Sequence, residues 1–349
     1  MTSRELLDLN RDNYNKIAED FSATRAYIWD DIKVLLDYVG EGDSVLDVGC
    51  GNGRLVEGLK EKNVKYLGID FSEKLIAEAR KKYPHHEFAV VDLAEFHSDQ
   101  AKYDVVFCLS VLNHFPKDFQ EKIILNIKSA LKPGGCLLMI NWNLWNIKSK
   151  KSVWRLPKFG KFQDLMTIWR GASEQVKLYY YAFTNGEIRN LLNKTGFEVE
   201  VNKFFRNGRP SNWIFGRNIV TVARNIHPFL IKRKSNIQGV GIFALKDIAV
   251  GEEFYKIPLV DVRYKNYKRY AYVGNSQYVC DDKILNWVNH SCDPNTKLEI
   301  ERLDPVLVAL QNIKAGEEIT CNYDFTEISG VYRVCHCGEE NCRGSFGKK

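Results

Sequence analysis

Hydrophobic and polar positions in the first part of the chain follow two periods, one typical of helices and one of buried strands. Apolar side chains recur at helical spacing over residues 32–38, and residues 186–195 predict a helix that ends at Gly196. Residues 132–135, Lys-Pro-Gly-Gly, predict a turn. Short apolar runs predict strands at residues 44–48, 65–69, 88–91, 104–108, 136–140, 197–201 and 219–223. This order predicts a Rossmann-like α/β domain over residues 1–225.

The pattern changes near residue 225. From there the chain consists of short apolar runs separated by Gly and Asn, with little helical period, which predicts a small mainly-β domain over residues 226–328. A cysteine-rich tail follows at residues 329–349. The length of 349 residues accommodates two domains of ordinary size.

Composition narrows the class of protein. Hydrophobic residues make up 45% and charged residues 27% of the chain, as in globular proteins. We expect no membrane span and no secretory signal, because no run of eighteen apolar residues occurs and the first residues are polar, so we expect a cytoplasmic protein. Nine cysteines then favour reduced thiols or a metal site over disulfides. A net charge of +6 permits an acidic partner such as RNA.

The first candidate site is a glycine-rich turn after a predicted strand, in residues 45–53, Val-Leu-Asp-Val-Gly-Cys-Gly-Asn-Gly. Such a turn lets the backbone approach a ligand closely, although it can equally be a tight turn alone. The glycine spacing differs from the dinucleotide fingerprint. Asp70 ends the next strand, where an acid can bind both ribose hydroxyls, and Asp47 could pair with an ammonium group. The combination favours S-adenosylmethionine (SAM) over a nucleotide.

These motifs resemble those of the class I SAM-dependent methyltransferases, over nearly all of the first 225 residues. The resemblance implies that Asp92 and Leu93 frame the adenine and that Leu109 and Ser110 line the methionine side. The predicted cofactor-binding residues of this half are Asp47, Gly49, Cys50, Gly51, Gly53, Asp70, Phe71, Asp92, Leu93, Leu109 and Ser110.

A narrower resemblance lies in the flanking segments. Residues 14–25, followed by Trp29, are similar to the lead-in of the tRNA wobble-uridine carboxymethyl methyltransferases, and residues 111–115 are similar to another of their segments, with Asn113 in place of His. This resemblance implies tRNA as the partner and a carboxylate as the acceptor, which needs no general base. Arg25 would clamp that carboxylate, or would form a surface ion pair instead. The alternative is a helix that covers the cofactor in a small-molecule methyltransferase.

The second candidate site combines four motifs, at residues 239–244, 251–253, 289–295 and 316–325. In this order they resemble the SET-domain protein lysine methyltransferases, over residues 229–346. The resemblance implies a second SAM site and a protein lysine as substrate. Its cofactor-binding residues would be Gly239, Val240, Gly241, Asn289, His290 and Tyr323, of which Tyr323, with Asn289 and His290, is also predicted to be catalytic.

Cysteine spacing in the tail predicts a metal site. Cys335, Cys337 and Cys342 supply three thiolates within one short loop, and structural zinc takes four ligands in a tetrahedron. Cys292 is the candidate for the fourth ligand. The alternative is four unrelated reduced thiols. The SET resemblance includes a zinc-binding post-SET tail of this kind.

Two functional hypotheses follow. The first is a bifunctional SAM-dependent methyltransferase that acts on tRNA and on protein lysine. The second is a small-molecule methyltransferase whose SET half is a docking module without catalysis. Cys321 stands where SET domains usually carry Phe or Tyr, so a roomier lysine channel is expected, with multiple methylation or relaxed specificity as its consequence.

Overall fold

The computed structural model divides the chain into two compact units, Met1–Pro228 and Phe229–Lys349. It describes all residues except 26, 99, 147–152, 156–162, 171–173, 228, 260, 266–269, 301–303, 326–332 and 347–349, and excludes the side chains of 153–155 and 325. None of the described helices is long and apolar enough to cross a membrane.

The first unit is built on an eight-stranded sheet with helices on both faces. Its helices are α1 (Ser3–Lys16), α2 (Ala18–Thr24), α3 (Asp30–Leu36), α4 (Val56–Leu59), α5 (Glu73–Lys82), α6 (Lys117–Ala130) and α7 (Asn185–Lys194). Its strands are β1 (Ser44–Val48), β2 (Lys65–Asp70), β3 (Glu87–Val90), β4 (Tyr103–Leu109), β5 (Leu131–Trp142), β6 (Val153–Arg155), β7 (Asp164–Arg170), β8 (Gln175–Tyr181), β9 (Phe197–Arg206), β10 (Arg209–Pro210) and β11 (Asn218–Asn225).

The strand order of the main sheet is β10-β9-β11-β5-β4-β1-β2-β3, and β5, β4, β1, β2 and β3 run parallel. The order reverses between β1 and β4, so a crevice opens at their carboxyl ends. This architecture confirms the predicted Rossmann-like domain. The short strand β1 is buried at four of its five positions, which explains its almost continuous apolar sequence.

The predicted turn at residues 132–135 differs in detail from the structure. These residues lie inside β5, which begins at Leu131 and pairs with Tyr103 before the register shifts. Gly134 has a φ of +76° within this irregularity. The Pro-Gly-Gly sequence therefore produces a bulge in a long strand rather than a turn ahead of a short one.

A smaller sheet, β6-β7-β8, was not predicted, and α1 packs against its last strand. The Asn10 side chain accepts a hydrogen bond from the Tyr179 backbone N–H and donates one to its carbonyl, at 2.8 and 3.1 Å. Asn13 donates to the Lys177 carbonyl at 2.8 Å. These bonds fix the rotation of α1, so Tyr14 at its end is held toward the carboxyl edge of the main sheet.

The second unit is made of short strands. They are β12 (Leu230–Lys234), β13 (Val240–Ala244), β14 (Glu253–Lys256), β15 (Val262–Arg263), β16 (Ala271–Gly274), β17 (Gln277–Val279), β18 (Asn289–His290), β19 (Thr296–Glu299), β20 (Val306–Ala309), β21 (Glu318–Cys321), β22 (Arg333–Val334) and β23 (Ser345–Phe346). The main sheet has the order β12-β13-β21-β19-β20-β14, with β18 paired to β21. This arrangement confirms the mainly-β prediction for the C-terminal half.

Candidate active sites

Two buried carboxylates, Asp47 and Asp70, line one end of a cavity in the first unit. Because the predicted cofactor-binding residues lie there, this end is called the cofactor end. Asp47 in β1 accepts a 2.9 Å hydrogen bond from the Tyr66 hydroxyl, and its burial raises its pKa to about 7. Asp70 accepts 2.9 Å bonds from the Gly51 and Ser72 backbone N–H groups. Burial also raises the pKa of Asp70, to about 6. Both groups are costly to bury without a ligand that hydrogen-bonds to them.

Most cofactor-binding residues predicted for this half line one cavity. They are Asp47, Gly49, Cys50, Gly51, Asp70, Phe71, Asp92, Leu93, Leu109 and Ser110, and Arg25 lines it as well. Gly53 is not among the lining residues. Its φ is +74°, and a Cβ there would lie 2.8 Å from the Phe88 ring, so Gly53 allows the turn to pack on β3.

Ser110 and Asp92 show how the loops at this edge are held. Ser110 has a φ of +62°, unusual for a residue other than glycine, and its buried Oγ has no hydrogen-bond partner among the described residues. Strain and an unsatisfied polar atom together are typical of ligand sites. Asp92 accepts from the Ala94 N–H and pairs with Arg4 of α1 at 3.0 Å, which ties α1 to this loop.

The opposite end of the cavity is walled by aromatic rings. Its ring-bearing lining residues are Tyr14, Phe21, Trp29, His114, Phe115, Trp142, Trp169 and Tyr180. Trp142 and Tyr180 are stacked, with ring centroids 5.2 Å apart at 16°. These residues come from α1, α2, β5, β7, β8 and the loops between them, so the ring-lined end is a product of tertiary structure. Rings in this arrangement suit a flat, apolar acceptor.

Arg25 and Arg54, two of the three arginines that line the same cavity, lie over its aromatic rings. The Arg25 guanidinium lies 5.2 Å from the Phe21 ring, and Arg54 lies 4.1 Å from the Trp29 ring. The Nη1 atom of Arg54 is buried and lacks a hydrogen-bond partner in the described part of the chain. Burial, with nearby Arg25, lowers the pKa of Arg54 to about 10, so it stays charged at neutral pH. Sequence reasoning missed Arg54, although it directly follows the glycine motif.

His114 was also missed as a site residue, because the sequence showed it only as part of a resemblance. It lies in a short 3₁₀ turn, Leu112–His114, after β4. Its Nε2 is 3.1 Å from the Tyr14 hydroxyl and its Nδ1 is 3.1 Å from the Tyr179 carbonyl oxygen. Nearby, the Asn113 amide donates to the Tyr181 carbonyl and accepts from the Trp142 N–H, so this residue is structural.

The second unit brings its predicted cofactor residues together. The Asn289 amide donates to the carbonyls of Gln238 and Val240, at 3.2 and 3.3 Å, and to Glu318 Oε1 at 2.7 Å. Gly241 packs against this pair so closely that a Cβ would clash with the Glu318 carboxylate. The segment that contains Gly239, Val240 and Gly241 is therefore fastened to Asn289.

Tyr323 and His290 lie side by side in the same unit. The Tyr323 hydroxyl donates to the Val288 carbonyl, and its backbone N–H donates to His290 Nδ1 at 3.2 Å. The ring of Phe346 in β23 lies 4.4 Å from His290 and 5.3 Å from Tyr323. The thiol of Cys321 is buried in β21. The tail thus supplies one wall of the predicted catalytic site.

Four cysteine thiols form a cluster beside that wall. The sulfur atoms of Cys292, Cys335, Cys337 and Cys342 all lie within 4.8 Å of one another. The Cys292 and Cys335 sulfurs are 3.8 Å apart. Zn–S bonds of about 2.3 Å in a tetrahedron place sulfurs about 3.8 Å apart, so the cluster fits zinc. The structure places Cys292 where the sequence predicted a fourth ligand.

Comparison with known families identifies both halves. Residues 45–135 match the methyltransferase domain family, and residues 239–324 match the SET domain family. The chain contains a methyltransferase domain and a SET domain. The resemblances drawn from the sequence, to class I methyltransferases in the first half and to SET domains in the second, are confirmed.

Individual relatives match the methyltransferase domain. A protein of Encephalitozoon cuniculi named as a methyltransferase is 29% identical over 190 residues, which cover 53% of this chain and 85% of that protein. A ubiquinone biosynthesis O-methyltransferase of Idiomarina loihiensis is 35% identical over 31% of this chain, and this chain spans only 45% of its length. A solved SAM-dependent methyltransferase of Methanosarcina mazei is 22% identical, with a TM-score of 0.46 over 56% of this chain and 97% of that one.

Proposed function

We propose that the methyltransferase domain transfers a methyl group from SAM to a small aromatic acceptor. The observation that carries the proposal is a single cavity with the glycine turn and two buried carboxylates at one end and aromatic rings at the other. Such a cavity holds cofactor and acceptor in one water-poor space, which aligns them for transfer. The relatives named as O-methyltransferases support this acceptor class.

Within that proposal, each charged residue of the cofactor end binds a different polar group of SAM. Asp70 would bind the ribose hydroxyls, and Asp47 the ammonium group. The unpartnered Nη1 of Arg54 would bind the carboxylate, since a buried guanidinium needs an anion. SAM, when bound, supplies the methyl group on a positively charged sulfur.

A tRNA acceptor is the second candidate, supported by an open groove that shares Arg25, Trp29, Trp142, Trp169 and Tyr180 with the cavity. Arg206, Arg217 and the exposed ring of Phe215 also border this groove. Basic and aromatic side chains together suit a nucleic-acid strand.

For the SET domain we propose lysine methylation of protein, with Tyr323 in the catalytic role. A lysine must lose its proton before it attacks, and a dry channel lowers its pKa. The cysteine cluster would hold zinc and fix the tail that carries Phe346.

One experiment tests these assignments together. Purified protein receives SAM with a labelled methyl group and one acceptor pool at a time: catechols, total tRNA or total protein. Label in catechols that is lost in Asp47→Ala supports the small-acceptor proposal, and label in tRNA alone would replace it with the second candidate. Label in protein that is lost in Tyr323→Phe supports lysine methylation, and its persistence there would leave the docking-module hypothesis.

A further inference from the structure

Tyr14 and His114 form a hydrogen-bonded pair at the ring-lined end of the first cavity. The Tyr14 hydroxyl is 3.1 Å from His114 Nε2, and the two rings meet edge to face with centroids 5.3 Å apart. Both side chains line the cavity. The Tyr14 ring lies 6.2 Å from the ring of Phe71 at the cofactor end, and the His114 ring lies 4.5 Å from the ring of Tyr180 at the ring-lined end. The pair therefore stands where the two ends of the cavity meet.

Hydrogen bonds around His114 allow two positions for its proton, and a proton relay from Tyr14 uses one of them. Nδ1 lies 3.1 Å from the Tyr179 carbonyl oxygen, which only accepts, and 3.2 Å from the Asn10 amide nitrogen, which only donates. Asn10 also donates to the Tyr179 carbonyl, at 3.1 Å. With its hydrogen on Nδ1, His114 presents a lone pair at Nε2, and the Tyr14 hydroxyl donates to it. The Tyr14 oxygen, which also interacts with the Tyr180 hydroxyl, then accepts from the substrate.

Burial keeps the side chains of Tyr14 and His114 uncharged. Burial lowers the pKa of His114 to about 4, so the imidazole is neutral at physiological pH. Burial also raises the pKa of Tyr14, and the groups that act on it are Tyr180, Asp70 and Arg25. Both members of the pair therefore enter the reaction uncharged.

We propose that the Tyr14 oxygen accepts a hydrogen bond from the hydroxyl group of the substrate. As the methyl group is transferred to that hydroxyl, Tyr14 relays its proton to His114. The inference rests on the proposed small aromatic acceptor and specifies its reacting group. An ionised carboxylate offers no hydrogen to the Tyr14 oxygen, whereas a phenol or catechol does. The reacting group is accordingly a hydroxyl.

The acceptor oxygen forms a bond to the methyl carbon, and the carbon–sulfur bond breaks with its electron pair on sulfur, which becomes a neutral thioether. The acceptor's proton passes to the Tyr14 oxygen while the proton of Tyr14 passes to His114 Nε2. An oxygen that has gained the methyl group and still carries its proton is strongly acidic, so even a weakly basic imidazole can take it. The imidazolium then returns the proton to water.

The test compares two phenols that differ in their need for the relay. Catechol is neutral at pH 7, whereas 4-nitrophenol is ionised at pH 9 and has no proton to give. Tyr14→Phe and His114→Gln should each lower kcat for catechol at pH 7 about 10²-fold, the usual size of a general-base contribution. With 4-nitrophenol at pH 9 the loss should largely disappear. Tyr103→Phe, the same chemical change on a half-buried ring outside the cavity, is the matched control.

The outcomes separate the two proposals. If the wild-type protein methylates neither phenol, the small-acceptor proposal fails and the relay falls with it. If it methylates both while the two variants match the wild type, the relay alone is overturned. An equal loss with both phenols would also overturn it, since that marks a merely structural role. Tyr14→Phe removes one oxygen and leaves the ring, so a folding failure of His114→Gln does not compromise the test.

Discussion

The Tyr66 hydroxyl donates a 2.9 Å hydrogen bond to the carboxylate of Asp47 from the neighbouring parallel strand. This single side-chain donor does not compensate for burial, which raises the pKa of Asp47 to about 7. Asp47 is therefore poised to lose its proton near neutrality, where a cationic ligand group would favour the charged form.

Asp47→Asn should make the ligand-free protein more stable above pH 7. The pKa of Asp47 is raised in the folded state, so the contribution of this group to the free energy of unfolding is fully present below about pH 4. That contribution is lost as the pH rises through about 7. The loss amounts to at most about 4 kcal/mol. Urea unfolding at pH 5 and pH 8 measures it. A variant with the same pH dependence as the wild type would contradict the assignment.

SAM binding should release a proton near neutral pH, because an ammonium group beside Asp47 stabilises the carboxylate. Affinity should rise between pH 6 and pH 8, and calorimetry in buffers of different ionisation enthalpy should show the released proton. Affinity that is flat over this range would place the ammonium group elsewhere.

Arg54→Met should weaken SAM binding about 10- to 100-fold, since a hydrogen bond to a charged group contributes about 1.5–3 kcal/mol. Methionine keeps much of the apolar stem beside Trp29. Calorimetry with SAM measures the change, and Arg189→Met, at an exposed position on α7, serves as control. Equal affinities for both variants would remove Arg54 from the cofactor site.

Cys342→Ser should lose one zinc per chain and loosen the tail, because structural zinc contributes folding energy directly. Metal analysis of protein purified without chelators measures the zinc content. Cys280→Ser, outside the cluster, should retain it. Wild-type protein without zinc would refute the metal assignment.

Tyr323→Phe should abolish lysine methylation while methylation by the first domain continues, because the two candidate sites are built from separate residues. Mass spectrometry of lysines in substrate protein and in the chain itself provides the measurement. Tyr264→Phe, which removes a hydroxyl from an exposed ring in the same domain, should leave the activity intact. Lysine methylation that persists in Tyr323→Phe would indicate a docking module.

The sequence predicted those parts of the fold that are determined by residues close together in the chain. The apolar run of β1 and the glycines after it located the cofactor end, and Cys292 was placed with the tail cysteines because zinc chemistry requires a fourth ligand. Helix α7 begins and ends within one residue of its prediction, since Thr184 caps one end and Gly196, with a φ of +81°, follows the other.

The acceptor end could not be predicted in this way. Tyr14 is far in sequence from Trp169 and Tyr180, which lie on the paired strands β7 and β8, and it joins them only because α1 packs on β8 through Asn10. No spacing rule connects such rings, and each alone is typical of core packing. The cofactor role of Gly53 stays a prediction from its motif position, and the structure shows only that its backbone permits the packing of Phe88.

Phe346 sets its ring against both His290 and Tyr323 from the strand that follows the cysteine cluster. If zinc orders that strand, a change in zinc concentration alters the SET half of the chain and leaves the first half unchanged. Protein made under zinc starvation would then retain the activity proposed for the first domain and lack the one proposed for the SET domain. A cell could in this way change the ratio of two methylation reactions without changing how much of the protein it makes.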